Sequence, residues 1–80
     1  MEDIQIIDLY WQRDEGAIAA TDSKYGAFCH HIAMNILHCI QDSEECVSDT
    51  YGRCWDTMPP QRPGCLRAYL GTIVRNLSIS

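Results

Sequence analysis

All three prolines of the chain fall within the segment Asp56–Gly64, which reads DTMPPQRPG. Consecutive prolines lack the backbone N–H groups that a helix needs, and a Pro-Gly pair marks a turn. A helix arriving from the N-terminal side must stop there, and a helix on the far side must start afresh. On both sides apolar residues recur at helical spacing, whereas β-branched residues are scattered and show no alternation of period two. The pattern predicts an all-α fold, a compact bundle of three to four helices with one ordered Pro-rich loop.

Four helical segments can be drawn. In the first, EDIQIIDLYWQR, the acids lead, as suits the positive end of a helix dipole. Its expected buried stripe is Ile4, Ile7 and Trp11, with Ile6 and Tyr10 beside it. The second runs from about Asp14 to Leu37, with Tyr25, Phe28, Ile32 and Ile36 on one face and Cys29 and Ala33 widening it. The third is expected to start at Asp42 as N-cap, with Glu45 completing a capping box, and to bury Val47, Tyr51 and Cys54, with Thr50 beside them. The fourth follows the loop and carries a stripe of Leu66, Tyr69, Leu70, Ile73 and Leu77. Arg67, Arg75 and Asn76 lie off that stripe.

Eighty residues make one small domain, 1–80, of limited burial. IVRNLSIS ends in mid-pattern, as a piece of a longer chain would. No apolar run approaches the ~20 residues that span a bilayer. The acidic start, MEDIQ, is unlike a signal peptide. The five cysteines are odd in number and none forms a C-x-x-C pair. Free, mostly buried thiols in a reducing cytoplasm are therefore expected. Charge is divided unevenly. Residues 1–50 carry ten acids against Arg13 and Lys24; residues 51–80 carry Arg53, Arg62, Arg67 and Arg75 against Asp56 alone. An acidic whole with an arginine-bearing end argues against a general nucleic-acid coat and leaves room for two different partners.

Few chemistries fit. His31 and His38 lie about 10 Å apart along a helix axis, too far to share one ion. Cys46 and Cys54 have the same difficulty. There is no Gly-rich phosphate loop, and no cysteine sits in a recognisable pairing with histidine. Glu44, Glu45 and Asp49 read as solvated rather than as an acid held in an apolar pocket. Neither an enzyme, nor a metal site, nor a cofactor is expected. Arginine forks suit phosphates and bases, and Tyr69 offers a stacking surface.

Taken together, DSEECVSDTYGRCW, the short loop and LRAYLGTIVRNLSI resemble region 2 of bacterial RNA polymerase sigma factors, most nearly the extracytoplasmic-function type. That group pairs an acidic E-D-L-V-Q-E-x-F-x-R-x-W helix with an F-R-A-W-L-x-x-I-A-R-N helix across a loop. The upstream QRDEGAIAATDSKYGAFCHHIAMNIL is similar to the family's long helix beginning G-D-E-x-A-F. The resemblance spans nearly the whole chain, and region 4 is absent from it.

The resemblance implies a cytoplasmic transcription initiation factor with no enzymatic activity of its own. Its partners would be core RNA polymerase, through the coiled coil of the largest subunit, and the promoter −10 element, with an anti-sigma factor as a further partner and no membrane. Glu45, Ser48, Asp49, Tyr51 and Trp55 fall on the polymerase-docking positions. Glu45 also has a capping role available, and Tyr51 and Trp55 a packing role; Asp49 has neither. The −10 reader would be the loop with Arg62, Arg67, Arg75 and Asn76. For Arg75 and Asn76 a helix-end hydrogen bond or ion pair is the competing reading. Some positions depart from the pattern. Cys46, Gly52 and Cys54 replace family leucines, and Ser48 replaces a glutamine. Thr72 and Ile73 stand where housekeeping factors place tryptophans. Basic residues are few for a DNA reader, so tight binding by the isolated domain is not expected. The alternative is a helical protein-interaction module of the same fold that does not read DNA.

Overall fold

The computed structural model covers residues 1–80 and contains four helices and no strand. They are α1 (Asp3–Trp11), α2 (Gly16–Leu37), α3 (Ile40–Thr57) and α4 (Leu66–Ile79). The long helix α2 packs against each of the other three, and α3 packs against α4. None is long and apolar enough to cross a membrane.

Helix α1 begins with the Glu2 backbone N–H on the Gln5 side chain at 2.9 Å. It ends in a Schellman turn, with Arg13 N–H on the Tyr10 carbonyl and Asp14 N–H on the Leu9 carbonyl. Glycine usually takes the left-handed position of that turn; here it is Arg13, at φ 57°. The Asp14 carboxylate then accepts from Gly16 N–H at 2.8 Å and starts α2. The buried face of α1 is Ile6, Ile7 and Tyr10. Ile4 and Trp11, expected in the stripe, are exposed. The helix is turned by its bonds to distant residues. Tyr10 donates to Thr21 Oγ1 at 2.7 Å in the core, while Asp3 accepts from Lys24 and Tyr25 at the rim. Lys24, Tyr25 and nearby positive charge hold the Asp3 carboxyl below its usual range.

The centre of the α2 face is made of small residues, Ala17, Thr21, Gly26, Cys29 and Ala33. Tyr25, Phe28 and Ile32 are only partly buried at its edge. A helix that must touch three neighbours needs small side chains at the closest approaches. His38 closes α2 in the left-handed conformation at φ 54°, and a single extended residue, Cys39, precedes α3. The expected start of α3 is therefore corrected. Cys39, not Asp42, is the N-cap, without a side-chain hydrogen bond, and Asp42 lies inside the first turn. Glu45 is not a capping residue.

Val47, Thr50, Tyr51 and Cys54 of α3 are buried as expected, joined by Ser43 and Cys46. The α4 stripe runs through Leu66, Leu70, Gly71, Val74 and Ser78; Tyr69, Ile73 and Leu77 flank it rather than form it. Cys46 Sγ lies 3.1 Å from the Ser78 hydroxyl and joins α3 to α4. All five cysteines are free thiols. Burial pushes Cys29 up to about 11 and Cys54 up to about 12, so both remain neutral packing groups.

Candidate functional site

Two polar regions flank the core, one built on α3 and one on α4. On α3, Glu44, Glu45, Ser48, Asp49 and Gly52 are exposed. The helical repeat gathers them on the side away from Val47, Thr50 and Cys54. Neither ion pair in the molecule, Lys24–Asp3 or Arg62–Asp8, involves these acids.

This acidic face has a groove on each side. Between α2 and α3 an open groove of about 900 Å³ is lined by Glu15, Asp22, Glu44, Ser48, Trp55 and Asp56, with Ile18, Val47 and Tyr51 in its wall. On the other flank a smaller groove of about 230 Å³ brings Asp42, Glu45 and Asp49 against Leu37 and Leu77. The five expected docking residues are therefore divided. Ser48, Tyr51 and Trp55 line the first groove, and Glu45 and Asp49 line the second.

Tyr51 and Trp55 also have internal work. Tyr51 is 8% exposed and its hydroxyl donates to Asp22 Oδ1 at 2.7 Å. Burial and that bond both push its phenol up. Gly26 makes the bond possible, because a Cβ there would lie 2.7 Å from the same Asp22 oxygen. The Trp55 ring is half-buried beneath the Arg13 guanidinium, 3.8 Å from its centroid. Arg13 Nη1 also donates to the Trp55 and Met58 carbonyls, both at 2.8 Å. Nothing local in the sequence pointed to Arg13, since its partners lie more than forty positions away.

The second region lies on another flank of α2. A groove of about 410 Å³ is lined by Phe28, Ile32, Arg67, Gly71, Thr72 and Arg75. The Arg67 guanidinium sits 4.3 Å from the Phe28 ring centroid. Arg67 and Arg75 thus flank an aromatic floor, about 12 Å apart along the helix. Phe28 was expected only as packing, and its place under a cation is a tertiary fact. Asn76 is exposed but does not line this groove. Arg62 stands apart on the loop, paired with Asp8 of α1. A further groove, of about 480 Å³, places Arg53 beside Tyr69 and Thr72. There the Tyr69 hydroxyl meets Thr57 Oγ1 at 2.6 Å and ties the two ends of the loop together.

Comparison with known proteins bears on this arrangement. The family model described as Sigma-70 region 2 matches residues 23–80, which hold most of α2, all of α3 and α4, the α2–α4 groove and the α3 wall of the α2–α3 groove. No curated protein and no solved structure matches the chain. With well over half of its length matched, from mid-α2 through the Pro-rich loop to the end of α4, the chain belongs to the sigma-70 region 2 family, a family of non-enzymatic transcription initiation domains.

Proposed function

We propose that the α3 face docks on the coiled coil of the polymerase's largest subunit, and that α4 and the α3–α4 loop engage the promoter −10 element. In this reading Glu45, Ser48 and Asp49 make the polar contacts and the edge of Trp55 the apolar one. Tyr51 acts from beneath, by holding Asp22 and the groove wall. Arg67, Arg75 and Asn76 serve the −10 strand, with phosphate contacts positioning the domain and base contacts specifying the site. Thr72 and Ile73, without tryptophans, support a reading as the extracytoplasmic-function type.

The observation that carries the reading is that the exposed α3 acids make no ion pair inside the molecule. Glu44, Glu45 and Asp49 carry like charge within two turns of one helix, and neither ion pair of the molecule offsets them. Such a face suits a basic partner and speeds encounter with it.

Retention of core polymerase by the immobilised chain tests this. Wild type is expected to retain polymerase, and the Glu45→Arg/Asp49→Arg variant to lose about tenfold or more in affinity, since like-charge juxtaposition costs several kcal/mol. The same variant should bind single-stranded −10 oligonucleotides at least as well as wild type. A wild-type chain that retains no polymerase would sink the docking assignment. Polymerase retention without any oligonucleotide binding would favour the helical interaction module.

A further inference from the structure

Helix α1 and the turn that follows it lie outside the family-matched residues, yet they hold the loop that the proposed function gives to DNA. Three contacts make this connection. Trp11 Nε1 donates to the Gln61 carbonyl at 3.0 Å. Arg13 donates to the Trp55 and Met58 carbonyls. Asp8 Oδ1 accepts from Arg62 Nη2 at 2.5 Å, with the Arg62 guanidinium 5.6 Å from the Trp11 ring centroid.

The three differ in how easily they are exchanged. The Arg13 fork works on backbone carbonyls beside Met58, which is fully buried. The Asp8–Arg62 pair is open to water, with side chains 46% and 44% exposed. Exposed ion pairs are weak. A carboxylate and a phosphate offer a guanidinium the same charge and the same pair of acceptor oxygens.

We propose that Asp8 is an intramolecular competitor for a nucleic-acid phosphate on Arg62. In the free protein α1 withholds this arginine; on binding, a backbone phosphate of a single strand displaces the Asp8 carboxylate. Trp11 and Arg13 keep the loop in place while Arg62 changes partner. The inference rests on the DNA reading of the loop and adds a reason for weak binding by the free chain.

The test is a thermodynamic cycle read by fluorescence anisotropy with a labelled oligothymidylate at several salt concentrations, because phosphate contacts need no particular sequence. Asp8→Asn keeps the shape of the side chain and should tighten binding about two- to fivefold, the range an exposed ion pair supports. Arg62→Ala should weaken binding and flatten the salt dependence by about 0.7 in log–log slope, one single-strand phosphate. In Asp8→Asn/Arg62→Ala the gain from Asp8→Asn should vanish. A thermal melt of each variant verifies that the fold is kept. An Asp8→Asn chain that binds no tighter than wild type, or a gain that persists without Arg62, overturns the competition while leaving DNA binding intact. Absence of binding by every variant overturns both the competition and the DNA reading.

Discussion

On α3, Glu44, Glu45 and Asp49 reach solvent without forming an ion pair, whereas four of the six Lys and Arg side chains are engaged inside the molecule. Arg13 lies on Trp55, Lys24 on Asp3, Arg62 on Asp8 and Arg67 on Phe28; only Arg53 and Arg75 lack such a partner. Positive charge here is a fastening material, used to hold α1 and to cover aromatic rings. Negative charge is left at the surface, where it projects a field toward an approaching partner. The difference explains how a chain can belong to a family that contacts DNA and still be acidic overall. Under the proposed reading its arginines are shared between holding the fold and meeting the strand.

The strongest way to test that division is to remove the most engaged cation. Arg13 supplies a charged fork to two carbonyls and stacks on Trp55, so Arg13→Ala should cost about 3 kcal/mol. At roughly 4–8 °C per kcal/mol for a domain of this size, the thermal midpoint should fall by well over 10 °C. Arg13→Gly loses the same fork but relieves the left-handed backbone, so it should be less harmful by about 1 kcal/mol. Circular dichroism melts of the two variants separate the roles. Equal melting of Arg13→Ala and wild type would mean that the fork is idle and that this arginine belongs with the outward charges.

The elements were legible in the sequence because they depend on local facts. Asp56–Gly64 stops α3 wherever the chain is placed, and the α2 and α4 repeats are long enough to define a face. The first turn of α3 was misread because a capping box at Asp42 and Glu45 is a local preference worth about 1 kcal/mol. The left-handed closure at His38 leaves only Cys39 before the next helix, and that geometry prevails. In α1, isoleucines at 4, 6 and 7 are equivalent to a hydropathy pattern. What selects among them is Tyr10 reaching Thr21 and Trp11 reaching Gln61, fifty positions away. The acidic face was readable from charge spacing alone. The Arg67–Phe28 and Arg62–Asp8 contacts were not, because both join distant segments.

Arg67 and Arg75 offer a finer comparison, since one is engaged and the other is not. Arg75→Ala should leave the melting midpoint unchanged and lower single-strand affinity a few fold, with the log–log salt slope reduced by about 0.7. Arg67→Ala should weaken binding similarly but also destabilise the fold by about 0.5–1 kcal/mol, through the lost contact with Phe28. Anisotropy titrations and melts on the same preparations give both numbers. Unchanged binding in Arg75→Ala would take the α2–α4 groove out of the DNA-contacting surface.

The smallest effect concerns Gly52, exposed one turn beyond Ser48 on α3 and part of the α2–α3 groove lining. It has no positive φ, and a Cβ built on it would meet nothing within 4 Å. Neither backbone conformation nor internal packing therefore requires glycine, which costs about 0.5–1 kcal/mol relative to alanine inside a helix. Gly52→Ala should raise the melting midpoint of the free chain by a few degrees. On the docked chain the expected sign reverses. If a polymerase helix lies across Glu45, Ser48 and Asp49, the missing side chain at Gly52 is where its surface comes nearest, and an added methyl group should weaken polymerase retention a few fold. The two measurements oppose each other only when a partner covers this face. A variant that gains stability and retains polymerase undiminished would place the contact on the other flank of the acidic helix, in the groove of Glu45, Asp49 and Leu77, and away from Gly52 and Trp55.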